Sequence, residues 1–232
     1  MLRKFISFLF FIAIIAGGAY LWTGQNQSSS QIAQLPELTN IQDVQSADKN
    51  KDAGKTIQIK DMAVGDKNAP VTIIEYASFT CPHCARFHNE VYPKIKAEYI
   101  DTGKVRFIVR DVYFDRFGLW AAMLARCGDG SKFFGLSHLI YSKQREWTKS
   151  DSGAGIVENL RKLGRLAGME DKQMDACLQD ADKARALVAV YQKNAEKDGI
   201  NATPSFIING KKYPNMSFAD FKTTIDELLA KQ

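Results

Sequence analysis

The sequence has few cysteines, prolines and glycines, and each shortage excludes a class of protein. Four cysteines in 232 residues are too few for a scaffold held together mainly by disulfides. Six prolines and 16 glycines, beside 45% apolar residues, argue against a collagen-like or wholly disordered chain. The sequence also lacks a phosphate-binding loop, a glycine-rich nucleotide fingerprint and a serine-hydrolase elbow. What remains is a folded chain long enough for one ordinary domain or two small ones.

Neither sign of charge is in large excess. The formal net charge of +5 is mild for this length, and the basic residues are interleaved with acidic ones. A nucleic-acid-binding face requires a concentrated basic patch. We therefore expect no nucleic-acid partner.

The first 22 residues are typical of an export signal. Arg3 and Lys4 precede an uncharged, mostly apolar run from Phe5 to Trp22, and this positive end is expected to stay in the cytoplasm. Small residues in the run offer a cleavage site, yet its length is just enough to cross a thin bilayer. Residues 1–22 are therefore either a signal peptide or an uncleaved membrane anchor.

A polar stretch separates this segment from the rest of the chain. Residues 23–55 have few aromatic side chains and no sustained periodicity, so we interpret them as a flexible linker. The patterns of an α/β domain follow in residues 56–232. We expect this domain in the periplasm, with the membrane as a partner if residues 5–22 remain as an anchor to the inner membrane.

A strand, helix, strand unit opens the folded part. The β-branched run from Val71 to Tyr76 predicts a buried strand, and Val105 to Val109 predicts a second. Between them the sequence predicts a helix from Pro82 to about Tyr99, kinked at Pro93. Such a unit favours parallel pairing of its strands.

Helical periodicity then dominates about residues 117–197, which we interpret as an inserted helical subdomain. Strand signals return from Thr203 to Ile208, and Asn209-Gly210 after them is a strong hairpin signal. Ser217 and Asp220 resemble the capping box of a last helix, although Asp is not the usual partner.

Reactive chemistry concentrates at Cys81-Pro82-His83-Cys84, where the first strand leads into the helix. Two cysteines at this spacing can reversibly close a small disulfide ring. Unpaired N–H groups and the positive end of the helix dipole are expected to lower the pKa of Cys81, and a protonated or hydrogen-bonding His83 stabilises the thiolate further. A stabilised thiolate favours the reduced form, so the disulfide becomes a strong oxidant.

This tetrapeptide, followed by a helical insertion and by Thr203-Pro204 before a hairpin, resembles the DsbA family of thiol-disulfide oxidoreductases over about residues 60–230. The resemblance implies an α/β chain with a thioredoxin fold and an inserted α-helical subdomain. It further implies a periplasmic enzyme that introduces disulfide bonds into reduced, exported polypeptides. A DsbB-like membrane protein linked to quinone is implied as its oxidant, with no cofactor or metal beyond the cysteine pair.

The resemblance also assigns roles within the tetrapeptide. Cys81 corresponds to the solvent-facing nucleophile, and Cys84 to the buried resolving thiol. Pro82 and His83 correspond to residues that tune the redox potential.

Three residues outside the tetrapeptide carry over in the same way. Glu75, six residues before Cys81, corresponds to a buried acid that assists proton transfer, with an exposed glutamate as the alternative. Pro204 corresponds to a cis-proline facing the disulfide, and Thr203 to a residue whose backbone pairs with an extended substrate.

Cys127 and Cys177 lie fifty residues apart in the helical part. Four cysteines allow three pairings, and the tetrapeptide leaves these two for one another in a compartment where thiols oxidise. We expect a structural disulfide. Two unpaired buried thiols and a regulatory disulfide are the alternatives.

Other functions fit the same cysteine pair. A disulfide isomerase or reductase uses the same chemistry. An exported copper or zinc module would use Cys81, Cys84 and a histidine, for which His83, His88 and His138 are available. A peptide-binding domain without catalysis would keep only a structural disulfide.

Overall fold

The computed structural model describes residues 57–231, so the predicted export signal at 1–22 and linker at 23–55 lie outside the described residues. Within the described range, five strands form one mixed sheet in the order β1-β3-β2-β4-β5. The strands are β1 (Met62–Val64), β2 (Val71–Ala77), β3 (Val105–Asp111), β4 (Ser205–Ile208) and β5 (Lys211–Tyr213). None of the helices in this range combines the length and the apolar character that crossing a membrane requires.

The central strand, β2, is buried on both faces. Val71, Ile73 and Tyr76 are fully buried, as a β-branched and aromatic run in a parallel pair requires. β2 pairs in parallel with β3 and antiparallel with β4, which confirms the predicted parallel unit. Because the carboxyl ends of β2 and β3 lie at one edge of the sheet, the residues that follow β2 emerge at that edge.

The helix after β2, called α1, covers residues 82–100 and alternates between two geometries. Its α-helical segments are Pro82–Arg86 and Tyr92–Ile95, and its π-helical segments are Phe87–Val91 and Lys96–Ile100. The first π segment ends just before Pro93, which has no N–H to donate to the preceding turn. The sequence predicted a disturbance at Pro93, whereas the π geometry was not predicted.

Helices fill the chain between β3 and β4. They are α2 (Arg116–Ala125), α3 (Phe133–Ser142), α4 (Gln144–Trp147), α5 (Gly153–Leu166), α6 (Asp171–Leu178) and α7 (Ala181–Lys197). The last helix, α8 (Phe218–Leu229), begins at a complete capping box in which Ser217 and Asp220 bond reciprocally to backbone N–H groups. The predicted cap is therefore confirmed.

An aromatic core fixes α1 and α8 against the sheet. Phe87 of α1 contacts Phe206 of β4 and Phe221 of α8, with ring centroids 4.8 and 5.6 Å away, and all three rings are buried. Aromatic pairs at these separations add to the stabilisation by burial. The start of α1 is therefore held in place relative to both β2 and β4.

A disulfide joins two segments of the helical part, and an ion pair joins the helical part to the sheet. Cys127, just after α2, forms a disulfide with Cys177 of α6, with a Cα–Cα distance of 5.6 Å. Next to it, the Nε of Arg126 lies 2.5 Å from a carboxylate oxygen of Asp111 at the end of β3, and both side chains are buried. The structural role predicted for the disulfide stays a prediction.

Candidate active site

Cys81 lies at the junction between the carboxyl edge of the sheet and α1. Its backbone is extended (φ −79°, ψ 118°), as an N-cap requires, and its sulfur accepts a hydrogen bond from the N–H of Cys84 at 3.4 Å. Pro82 occupies the first turn, where its missing N–H costs nothing. Cys81 and Cys84 are not joined by a disulfide, so the structure represents the reduced protein.

Hydrogen bonds to the Cys81 sulfur favour its thiolate. The Cys84 thiol makes the largest contribution, followed by the Thr203 side chain and the N–H groups of Cys84 and His83. Together they lower the pKa of Cys81 from 9.0 to about 5, although burial acts in the opposite direction. Cys81 is 8% exposed, so the residue is largely buried, whereas the resemblance implied a solvent-facing nucleophile.

Cys84 has the opposite environment. Its side chain is fully buried, and this burial raises the pKa of its thiol far above the ordinary value. The hydrogen bond to Cys81 and the nearby charge of Glu75 raise it further. The site therefore holds one thiolate and one thiol across the neutral pH range.

Glu75 is fully buried in β2, so the structure contradicts the alternative of an exposed glutamate. Its Oε2 lies 2.8 Å from the Nε2 of His88 in α1. His88 is 4% exposed and stacks on Tyr141 of α3 with a centroid separation of 4.1 Å. Glu75 thus reaches the cysteine pair from the sheet, with a histidine partner from the helix.

Thr203 and Pro204 face Cys81 from the loop before β4. Their peptide bond is cis, and the Cys81 sulfur lies 3.5 Å from the carbonyl oxygen of Thr203. A cleft of about 540 Å³ opens beside them, and its lining includes His83, Asn201 and Tyr213. The structure therefore brings the sequence-predicted residues of the tetrapeptide, β2 and this loop to one place.

Gln144 supports the tetrapeptide from the helical part. Its side-chain amide donates to the carbonyl oxygens of Phe79 and Cys81, at 2.8 and 3.0 Å. Both contacts are buried, and they join α4 to the segment between β2 and α1. Sequence reasoning missed this residue because its partners lie more than sixty positions away.

We expect Gln144→Leu to lower the free energy of unfolding by roughly 1–3 kcal/mol, because two buried carbonyl groups lose their donor. Urea unfolding of the reduced protein measures this change. Gln179→Leu is the matched control, since Gln179 is exposed at the end of α6. Equal stability of the two variants would contradict the supporting role.

The three histidines considered as metal ligands occupy three different environments in the structure. His88 is bonded to Glu75, His83 is exposed at the start of α1, and His138 is exposed on α3. Among residues 57–231, no three or more His, Cys, Asp and Glu side chains form a group able to hold a metal ion. The disposition of the histidines gives the metal-module alternative no support.

Comparisons with known proteins cover this same part of the chain. The Thioredoxin family model matches residues 57–227. A Rickettsia conorii protein named for protein-disulfide oxidoreductase activity is 35% identical over 173 residues, which are 74% of this chain and 61% of that protein. The chain thus matches less than two thirds of that relative. Disulfide bond formation protein D of Bacillus subtilis is 29% identical over 176 residues, covering 72% of this chain and 76% of that protein.

A solved structure extends the comparison to three dimensions. The crystal structure of Wolbachia pipientis α-DsbA1 has 31% sequence identity and a TM-score of 0.69, and the similarity covers 75% of this chain and 94% of that one. Most of that structure therefore has a counterpart in the chain described above.

Proposed function

Because the chain belongs to the DsbA family of thiol-disulfide oxidoreductases and has the thioredoxin fold with inserted helices that its sequence predicts, we propose that it introduces disulfide bonds into reduced, exported polypeptides. The observation that carries the proposal is that the pKa values of the two paired thiols are shifted in opposite directions. The pKa of Cys81 is lowered to about 5, and the pKa of Cys84 is raised. This asymmetry defines a nucleophile and a resolving group.

The oxidising half-reaction follows from this asymmetry. A substrate thiolate attacks the Cys81 sulfur of the Cys81–Cys84 disulfide, the bond between the two cysteines breaks, and Cys84 leaves as a thiolate that takes up a proton. A second substrate thiolate then attacks the substrate sulfur of the mixed disulfide. The substrate disulfide forms, and Cys81 leaves as a thiolate. Two electrons pass to the cysteine pair, and the low pKa of Cys81 makes it a good leaving group.

The cleft beside Thr203 and Pro204 is the proposed substrate site. An extended peptide there can pair with the backbone of Thr203 while one of its cysteines meets Cys81, a form of strand addition. The exposed His83 lines this cleft and then borders the bound chain, and Pro82 next to it is also exposed. We assign these two residues to tuning of the redox potential.

The proposal also covers the location of the protein and the restoration of its Cys81–Cys84 disulfide. Residues 1–22 export the domain to the periplasm, either as a cleaved signal or as an anchor in the inner membrane. A DsbB-like membrane protein linked to quinone then restores the disulfide. The chemistry requires no cofactor beyond the cysteine pair.

Titration of thiolate absorbance tests the proposal. The reduced protein is expected to show a transition near pH 5, with the thiolate lost below this pH and retained above it. Cys84→Ser is expected to keep a transition below neutral pH, because the serine hydroxyl can replace the Cys84 thiol as a donor to Cys81. Cys81→Ser, the matched control, is expected to show no transition between pH 4 and about 8, since its remaining thiol, Cys84, is buried and has a raised pKa. An ordinary thiol titration in Cys84→Ser would contradict the assigned mechanism.

The redox equilibrium with glutathione separates an oxidase from a reductase or isomerase. A thiolate stabilised in the folded protein favours the reduced state, so the disulfide is expected to oxidise glutathione readily. A potential as low as about −270 mV, which is typical of thioredoxin, would contradict the oxidase assignment.

A further inference from the structure

The Glu75 carboxylate is bonded through only one of its two oxygens. Oε2 contacts His88, whereas Oε1 is buried and has no hydrogen-bond partner in the described part of the chain. A buried carboxylate oxygen without a donor is costly, and most buried polar atoms avoid this state. The charge of Glu75 also acts on Cys84, so the unpartnered oxygen belongs to a group that lies close to the buried thiol.

The His88 ring has aromatic contacts with two tyrosines from different helices. It stacks on Tyr141 at 4.1 Å with an interplanar angle of 12°, and it lies 5.2 Å from Tyr92 of its own helix. With only 4% exposure, the ring has little freedom to turn. The aromatic contacts therefore hold its Nε2 at 2.8 Å from one carboxylate oxygen of Glu75.

We propose that His88 is a positioning residue for proton transfer at Cys84: by binding Oε2 of Glu75, it leaves Oε1 as the oxygen that exchanges a proton with the buried thiol. The inference rests on the proposed function and concerns the proton of the buried Cys84 thiol. A thiol with a raised pKa is a poor nucleophile until a base removes its proton.

Ring closure by oxidised glutathione isolates the step. The Cys81 thiolate attacks one glutathione sulfur, which forms a mixed disulfide and releases one glutathione thiolate. The Cys84 proton then passes to Oε1 of Glu75 through one intervening water, because Oε1 makes no direct hydrogen bond to the thiol. The Cys84 sulfur attacks the Cys81 sulfur, and the bond to glutathione breaks. A second glutathione thiolate leaves, and two electrons have passed from the cysteine pair to glutathione.

In the described part of the chain, few titratable groups lie around Glu75 and Cys84. The dependence of the closure rate on pH can therefore be interpreted. Glu75 comes from β2, Cys84 and Tyr92 come from α1, and Tyr141 comes from α3. Burial raises the pKa of Tyr92 and of Tyr141, so both phenols stay neutral through the neutral range. Changes of the closure rate with pH through the neutral range therefore do not come from these two phenols.

The test is rapid mixing of reduced protein with oxidised glutathione, followed by acid quench and mass spectrometry of the mixed and closed disulfides. His88→Phe keeps an aromatic ring and removes Nε2, and it is expected to slow closure about tenfold while attack by Cys81 stays within about twofold. His88→Gln supplies an amide donor and is expected to restore most of the closure rate. His138→Gln, on the exposed face of α3, is the control and is expected to match the unaltered protein.

Two further readouts separate positioning from mere packing. In His88→Phe, closure is expected to accelerate with pH by about tenfold per unit, because solvent hydroxide replaces the internal base. In a Glu75→Gln background, His88→Phe is expected to add no further loss, since both changes remove one function. Unchanged closure in His88→Phe, failure of His88→Gln to restore it, or additive effects with Glu75→Gln would overturn the proposal.

Failure of the proposed function has a different signature. If the unaltered protein closes its disulfide with glutathione but does not oxidise a reduced dithiol peptide, the oxidase assignment fails. The closure rates still decide the role of His88 in that case.

Discussion

Cys84→Ser is expected to keep rapid alkylation by iodoacetamide at pH 7, whereas Cys81→Ser is expected to lose it by at least about a thousandfold. In Cys84→Ser, the remaining thiol still caps α1, and the serine hydroxyl can donate to it in place of the Cys84 thiol, so its pKa is expected to stay below neutral pH and most of it is expected to be thiolate. In Cys81→Ser, the remaining thiol is fully buried, and its raised pKa keeps it protonated. Mass spectrometry of timed, quenched samples measures both rates.

Unfolding supplies the control for that comparison. In concentrated urea the two variants expose ordinary thiols, and their alkylation rates are expected to agree within about threefold. A large difference that survives unfolding would point to the reagent rather than to the fold. Similar rates in the native proteins would contradict the asymmetry between Cys81 and Cys84 on which the proposed function depends.

Cys127→Ala with Cys177→Ala is expected to lower the free energy of unfolding by about 4 kcal/mol, because the disulfide closes a long loop in the unfolded chain. The sequence separation of 50 residues sets this magnitude. Urea unfolding measures the change, with Cys81→Ser and Cys84→Ser present in both proteins so that no free thiol can exchange. A loss below about 1 kcal/mol would contradict a stabilising role.

The same double substitution distinguishes a structural from a regulatory disulfide. With Cys81 and Cys84 restored, a structural role predicts that thiolate absorbance still shows the transition near pH 5. A regulatory role predicts that this transition, or the equilibrium with glutathione, moves when the disulfide is absent. The two measurements use one variant, and they do not depend on its stability as long as it remains folded.

Much of the fold was predictable because its signals are local. The β-branched run at Val71–Ala77 forms the central strand, and Asn209 and Gly210 adopt the positive φ values of 43° and 84° that a two-residue hairpin requires. β1, by contrast, has three residues with mixed exposure and pairs with β3 more than forty positions away. No local pattern announces so short an edge strand.

The residues of the candidate site also differ in whether a local sequence signal predicts them. Cys81 and Cys84 stand in one tetrapeptide, so their chemistry follows from adjacent residues. His88 was considered as a metal ligand because it lies one turn beyond Cys84, whereas its partner in the structure is Glu75, a strand residue thirteen positions earlier. Gln144 carried no signal, since a glutamine that bonds backbone carbonyls of a distant segment has no characteristic spacing.

The order of the strands along the chain has a consequence for biogenesis. β2 and Cys81 precede the helical insertion, whereas β4 and the Thr203-Pro204 loop follow it, near the end of the chain. A chain delivered amino-terminus first must therefore expose its reactive pair before the strand that completes the sheet has emerged. The cysteines emerge early, and the cleft beside Thr203 and Pro204, which is the proposed substrate site, is completed last. A chain truncated after α7 would therefore carry both thiols without this side of the cleft.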